Sequence, residues 1–344
     1  MVQLIKLFAA TVLATLGFSE LVSSHPGETH HAESAEVQVQ RQQYFAESQR
    51  ALAACAKTPH GRRLQEEGSA RRAALVDKLR ADRKLSAATV IATNHKSSLI
   101  GVSPATDPTV LFGSTPKCVL EPYVTEGPYY VRGELIRTDI REKQAGIDLY
   151  TELQIIDVNT CLPVPNLYID FWHCNSTGVY SGVNAATNGN YADKSNINKT
   201  FNRGLAPTNA SGLVTFLTTF PGHYTGRTTH IHVLANHDGK VLANNTYSGG
   251  SVSHVGQIFF DQSLITQVEQ TSAYLPNKQT LTTNARDSIF AQSAATFDPV
   301  VNYVYLGNSV TDGIFSWISI GINAKLSRTV SAAAHLTANG GVAN

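Results

Sequence analysis

The run Leu167-Tyr-Ile-Asp-Phe-Trp172 sets Leu167, Ile169 and Phe171 in alternation with Tyr168, Asp170 and Trp172. A period of two is what a strand with one face on a core requires. Upstream, Leu153, Ile155 and Val158 lie in another strand-like run. Downstream, Leu213 to Phe220, Thr229 to Ala235 and Val255 to Phe260 repeat the style. Turn signals separate these runs: Asn159-Thr-Cys161, Pro163-Val-Pro-Asn166, Asn209-Ala-Ser-Gly212 and His237-Asp-Gly239. Short strands punctuated by turns predict a mostly β chain folded as a β-sandwich.

Ahead of the strands the pattern changes. Tyr44, Ser48, Leu52 and Cys55 recur at helical spacing, and a second such pattern follows near Leu75 and Leu79. These predict a helical N-terminal extension over residues 25–96. Ser97 to Pro116 is rich in Ser, Thr, Gly and Pro, which reads as a linker over 97–117. The sandwich is then expected over 118–323, with a C-terminal tail at 324–344. Residues 41–90 carry eleven Lys or Arg against five Asp or Glu. The plain reading is a solvated helical face, and the sharper one is an arm for polyanions such as cell-wall polymers. Arg62-Arg63 and Arg71-Arg72 are also candidate processing sites.

Met1 to Ser24 has the form of a signal peptide. Lys6 supplies the basic start, Leu7 to Phe18 the apolar run, and Val22-Ser-Ser24 the small residues of a cleavage site. Glu20 interrupts that run too early for a membrane span. A secreted, extracellular protein is therefore expected. Four sequons agree with export: Asn175-Ser-Thr, Asn198-Lys-Thr, Asn209-Ala-Ser and Asn244-Asn-Thr. So do four cysteines, Cys55, Cys118, Cys161 and Cys174, an even number that suggests two disulfides. Cys161 and Cys174 sit at opposite ends of one predicted strand and are not expected to pair with each other. His25, His30 and His31 read as a polar tail.

Composition narrows the function. Of 344 residues, 42% are hydrophobic and only 15% charged, with a formal net charge of +1. Disorder needs the opposite balance. A polycation seeking nucleic acid is excluded on the same numbers. No later run is long and apolar enough to cross a bilayer, so no membrane partner is expected.

The chemistry concentrates in Phe220-Pro-Gly-His-Tyr-Thr-Gly-Arg-Thr-Thr-His-Ile-His232. On a strand, His230 and His232 present two imidazoles on one face, spaced to chelate one metal. Apolar Ile231, Val233 and Leu234 place that strand in the core, where unpartnered imidazoles are costly. No thiol or carboxylate lies at useful spacing, so a site of two His and one carboxylate is not indicated. The available anionic partners are phenols: Tyr224, and Tyr180 at the end of Trp172-His-Cys-Asn-Ser-Thr-Gly-Val-Tyr180. A phenol with a pKa near 10 is deprotonated only by a strong Lewis acid. Ferric iron meets that demand better than zinc or magnesium.

Tyr180, Tyr224, His230 and His232 resemble the iron ligands of the intradiol ring-cleavage dioxygenases. Glu126-Gly-Pro-Tyr-Tyr130 is similar to the segment near that family's active-site entrance, and Val164-Pro-Asn-Leu-Tyr-Ile-Asp-Phe-Trp172 to the strand leading to its first Tyr ligand. Arg227 stands three before His230, as the family's active-site Arg does. Gln257, in Val255-Gly-Gln-Ile-Phe-Phe260, resembles the Gln that orients its iron-bound solvent. The likeness runs from about Cys118 to about Asn323, including Leu306-Gly-Asn-Ser-Val-Thr-Asp-Gly313. It is closest to the secreted fungal-type branch.

The resemblance implies a non-haem Fe(III) cofactor. It also implies a small catecholic substrate, opened with O2 between its two hydroxylated carbons to a muconate-type diacid. Tyr224 and His232 would be axial ligands, and Tyr180 and His230 equatorial. Tyr224 would also take a substrate proton, Arg227 would stabilise charge on the ring, and Gln257 would act on the solvent ligand. A homodimer through the N-terminal helices, residues 36–90, is implied as well.

Structural readings stand beside these roles. Arg227 reads equally as half of an ion pair, and Gln257 as a polar residue paired within a strand. Tyr129 and Tyr130 read as packing or pocket lining, and Trp172, His173 and His223 as packed or hydrogen-bonded rather than ligating. A glycan on Asn175, five residues before Tyr180, would crowd the mouth of the site. The competing function is a non-catalytic β-sandwich module that binds phenolics or wall polymers. A zinc hydrolase is weaker, because Tyr is a poor zinc ligand and no carboxylate base is placed.

Overall fold

The alternating runs become strands of two facing sheets in the computed structural model, which describes residues 35–82, 118–119, 127–294 and 298–344. The expected signal peptide, the cluster of His25, His30 and His31, the 97–117 linker, Glu126 and the Leu79 and Cys118 side chains lie outside the described residues. In chain order come helices α1 (Ala35–Ala56) and α2 (Pro59–Asp82), then strands β1 (Cys118–Val119), β2 (Val131–Arg132), β3 (Asp148–Asp157), β4 (Tyr168–Trp172), β5 (Arg203–Pro207), β6 (Leu213–Thr219), β7 (His230–Val241) and β8 (Tyr247–Phe259). Helices α3 (Gln262–Glu269) and α4 (Ser288–Ala294) follow, then β9 (Asn302–Tyr305), β10 (Ile314–Ile322), β11 (Ala334–Thr337) and β12 (Gly340–Ala343).

One sheet has the order β1-β10-β3-β6 with β9 also on β10, and the other β5-β4-β7-β8. Their inner faces bury Leu149, Leu153 and Ile155 of β3 and Ile318 and Ile320 of β10 against Ile169 and Phe171 of β4 and Ile231 and Val233 of β7. Phe171 and Phe216 stack across the interior with ring centres 4.5 Å apart. This is the β-sandwich that the alternation predicted. A third small sheet, β12-β11-β2, pairs the C-terminal residues read as a tail with Val131 and Arg132.

Both outer faces are covered. On the five-stranded sheet, Phe45 and Leu52 of α1 pack against Ile156 and Val158. Val76 of α2 packs against Phe315 and Trp317 of β10. The helical extension is therefore docked on its own sandwich. Cys55–Cys161 ties α1 to the turn after β3, joining residues 106 apart in sequence. The second expected disulfide does not form: Cys174 is a buried free thiol, its Sγ bonded to the Gly222 carbonyl at 3.4 Å. Cys161 sits beyond the end of β3 and is joined to α1, while Cys174 lies in the loop just past β4 of the other sheet.

The basic segment is partly a docking surface. Arg71 meets Glu152 of β3 at 3.1 Å and Arg72 meets it at 3.6 Å, with the Glu152 and Arg72 side chains each only 3% exposed. The Arg71-Arg72 pair thus lies inside a helix with one member buried, which removes it from a protease in the folded chain. Burial lowers Arg72 to about 10, and Glu152 works against that shift. Removing one partner of a buried ion pair leaves an uncompensated charge. Glu152→Ala should therefore lower the unfolding free energy by about 3–5 kcal/mol. A loss under about 1 kcal/mol in urea denaturation would show that this pair does not hold α2.

Two buried imidazoles set an acid limit. His254 of β8 is bonded to the Tyr44 hydroxyl at 2.9 Å, under α1. Burial pushes it down to about 3. His173 is held between the Cys174 carbonyl and the Thr218 hydroxyl, and burial pushes it to about 4. Unfolded imidazoles take a proton near pH 6.5, whereas these do not until well below it. Their contribution is complete above about pH 6.5 and is lost as pH falls toward 4, by up to about 1.4 kcal/mol per unit for each. A denaturation free energy that is flat between pH 7 and pH 4.5 would contradict this.

Candidate active site

Burial of β7 on both faces creates the site. Ile231, Val233 and Ala235 enter the sandwich core, while His230 and His232 point to the outer face. Two loops cover that face, residues 173–202 after β4 and 220–229 before β7. Each carries one of the predicted tyrosines. Glycines let the loops touch backbone to backbone. Gly178 has φ +78°, and a Cβ there would lie 2.2 Å from the His223 carbonyl oxygen. A Cβ on Gly222 would lie 2.5 Å from the Ser176 oxygen. Only a residue without Cβ permits such an approach.

The loops bring all four predicted donors together. The His230 and His232 Nε2 atoms are 3.1 Å apart. The Tyr180 hydroxyl lies 3.4 Å from His230 Nε2 and 3.2 Å from His232 Nε2. The Tyr224 hydroxyl lies 3.4 Å from His230 Nε2. All four side chains are buried. His230 Nδ1 donates to the Thr228 carbonyl at 2.6 Å, which assigns the tautomer and leaves the Nε2 lone pair facing the other donors. His232 stacks on Trp172, ring centres 4.7 Å apart and planes 6° apart.

The tyrosines are held as firmly. Asn188 Oδ1 accepts from the Tyr180 amide at 2.9 Å. The side-chain amides of Asn188 and Asn196 both donate to the Tyr180 carbonyl, at 2.7 and 2.8 Å. Tyr129 stacks on the Tyr180 ring with centres 4.5 Å apart, and its hydroxyl donates to Thr187 at 2.8 Å. The asparagines were not singled out from sequence. The only signal for them is an Asn-rich loop, which alone does not say what it clamps.

Arg227 and Gln257 form one unit beside the cluster. Arg227 Nε donates to Asp287 Oδ2 at 2.8 Å, and its Nη2 donates to Gln257 Oε1 at 2.5 Å. Gln257 lies opposite His232 in the β7–β8 register. Asp287 also accepts from the Thr228 and Phe290 amides, both at 2.7 Å. The ion-pair reading of Arg227 therefore holds, and its remaining arm still reaches the predicted Gln257. Asp287, just ahead of α4, was not found from sequence, because nothing local links it to residues 60 positions away. His223 is bonded to Glu269 and to the Gln279 carbonyl, and His173 is bonded as described. Tyr130 packs on Trp172.

Electrostatics define what the cluster tolerates. Burial raises Tyr180 well above 10, and the neighbouring Tyr224 adds to it. Burial likewise raises Tyr224, although Arg227 works against it. Burial holds His232 well below 6.5, reinforced by His230 and Arg227. Burial also opposes the charge on Arg227, but Tyr224 and Asp287 more than offset it, and its pKa is raised. Left to themselves, the two phenols and His232 are neutral and crowd against His230 Nε2. A multivalent cation is the species that would convert this crowding into attraction. Separations of 3.1–3.4 Å suit donors that share one ion at about 2.0–2.1 Å. Among the described residues, no group of three or more His, Cys, Asp or Glu could hold a metal. A metal here would therefore need the phenols.

No family model matches the sequence, and no curated protein matches it. Solved structures do. An intradiol ring-cleavage dioxygenase from Tetranychus urticae is 31% identical, with 62% of this chain and 98% of that chain covered and a TM-score of 0.50. A second dioxygenase crystal structure is 30% identical over the same 62% and 98%, with a TM-score of 0.51. With nearly the whole of each relative covered at this identity, the chain belongs to the intradiol ring-cleavage dioxygenase family and is an oxidoreductase.

Proposed function

We propose that this protein is a secreted non-haem Fe(III) dioxygenase. Its substrate is a small catecholic aromatic, opened with O2 between the hydroxylated carbons to a muconate-type diacid. Tyr180, Tyr224, His230 and His232 hold the iron. The observation that carries this reading is the convergence of two phenol oxygens and the His232 nitrogen on His230 Nε2, each 3.1–3.4 Å from it. Bound Fe(III) would supply the Lewis acidity that keeps both phenols ionised and draws a catechol in as its dianion.

The protein's own groups do the rest. Tyr224, whose phenol feels the Arg227 charge, would be the group that takes a substrate hydroxyl proton. Arg227 stays charged and is fixed by Asp287, so its guanidinium faces developing negative charge without reorganising. Gln257 orients solvent next to His232. The packed rings of Tyr129 and Trp172 keep water off Tyr180 and His232.

Secretion is supported by the apolar N-terminal run and by the Cys55–Cys161 bridge, since disulfides persist in oxidising compartments. Asn198, Asn209 and Asn244 are exposed and would accept glycans. The Asn175 carboxamide is instead tied to Gln144 and to its own turn, beside buried Ser176, which disfavours a glycan at the site mouth.

Iron-supplied protein should be red-brown from tyrosinate-to-iron charge transfer, and Tyr224→Phe should weaken that band and cripple ring opening. A colourless folded sample, or normal ring cleavage by Tyr224→Phe, would overturn the assignment. Asp287→Ala should lose about 3–5 kcal/mol of stability, because Arg227 becomes an unpaired buried charge. In Asp287→Asn, kcat for catechol opening should drop about 10- to 100-fold. Unchanged kcat there would mean that Asp287 does not position Arg227.

A further inference from the structure

The outer face of the four-stranded sheet carries a second polar region. At the far end from the tyrosine–histidine cluster it opens into a cleft of about 740 Å³. That volume falls in the upper part of the range for ligand pockets. The two regions are separated by Tyr130 packed on Trp172, ring centres 5.2 Å apart, with Trp172 in turn stacked on His232. The cleft is walled by residues 132–134, by the hairpin joining β7 to β8, and by the C-terminal segment 327–338. The C-terminal strands thus have a place in the molecule that the dioxygenase chemistry does not require.

The floor holds two carboxyl groups that the mechanism does not use. Asp170 of β4 is 3% exposed and Glu134 is 4% exposed, and both line the cleft. Ile169 and Phe171 point into the core, so Asp170 faces the outer side. One Glu134 oxygen takes the Arg203 guanidinium at 3.0 Å. The Asp170 carboxyl is hydrogen-bonded to Glu134 and to the Tyr130 hydroxyl, so two acids meet at the cleft floor. Two carboxyls brought together in a buried floor disfavour being charged at once, so such a pair calls for a reason.

Charge decides the ligand class. Arg132 and Arg328 line the same cleft, and Arg203 backs Glu134, so guanidinium groups balance the carboxyls. Neither a free cation nor an anion is favoured by such a field. Burial, with Glu134 adding to it, pushes the Asp170 carboxyl up, so it stays protonated and can donate as well as accept. Neighbouring Asn236 supplies another donor and acceptor. What remains is a neutral cleft of mixed donors and acceptors, complementary to hydroxyl groups repeated at fixed spacing.

We propose that this cleft is a second binding site, taking an uncharged oligosaccharide on a floor of Asp170, Glu134 and Asn236. Binding there is independent of the iron chemistry and is read without turnover. The test is isothermal titration of the iron-loaded full chain with cellotetraose, xylotetraose and chitotetraose, and with tetragalacturonate as the charged counterpart. Saturable binding of at least one neutral tetrasaccharide is expected. It should weaken about tenfold in Asp170→Leu, which removes a buried hydrogen-bonding group. It should weaken likewise in Ser248→Trp, which fills the cleft from an exposed position and does not depend on tolerance of a core change. The proposal fails if none of the neutral sugars binds at millimolar concentration, if tetragalacturonate binds more tightly than they do, or if binding is unchanged in Ser248→Trp.

Discussion

Everything in this structure follows from β7 being buried on both faces. A strand that must place Ile231 and Val233 in the sandwich also turns His230 and His232 to the opposite side, because the pleat alternates. That side is not solvent, so the imidazoles need polar partners. The Thr228 carbonyl and the phenols of Tyr180 and Tyr224 provide them, which requires two long loops to lie over the sheet. The site is thus a consequence of how the second face is covered. Gly178 and Gly222 are where the covering loops come close enough to close it.

Buried ion pairs do the long-range joining. Arg72 with Glu152 seats α2 on β3, Arg203 with Glu134 seats the segment before β3 on β5, and Arg227 with Asp287 seats α4 beside the tyrosine–histidine cluster. Such pairs contribute little net stability over apolar packing, but a broken one is costly, so they select one docking over others. Arg203 lies 6.0 Å from the Tyr180 ring centre, and the last pair stands beside Tyr224. It fixes a guanidinium whose other arm is shared with Gln257, so the charge next to Tyr224 is set by a residue from a different part of the chain.

The outer face also shows how one sheet can carry two functions. Trp172 and Tyr130 form a packed wall between the tyrosine–histidine cluster and the carboxyl-floored cleft. The first region calls for a cation, because burial keeps the Tyr180 and Tyr224 phenols and the His232 imidazole neutral. The second has guanidinium groups already present, which leaves only hydrogen bonding to be satisfied. The same sandwich therefore presents two environments of opposite electrostatic demand along β4.

Sequence by itself determined what is periodic or adjacent. The alternation around Leu167 to Trp172 and the His230–His232 pair are local patterns, and local patterns survive without knowing the fold; Arg227 and Gln257 came with the family resemblance. The local patterns carried the sandwich and the paired imidazoles, with Tyr180 and Tyr224 as the available phenols. Tertiary structure alone decided what depends on distance across the chain. Asp287 on Arg227, Asn188 and Asn196 on Tyr180, and Arg71 and Arg72 on Glu152 have partners that no window of sequence contains. The disulfides show the limit from the other side: counting four cysteines predicted two bridges, but Cys161 pairs with Cys55 while Cys174, in the loop past β4, is buried against the Gly222 carbonyl as a free thiol. Pairing is a matter of where Cβ atoms end up in space, which composition and spacing do not encode.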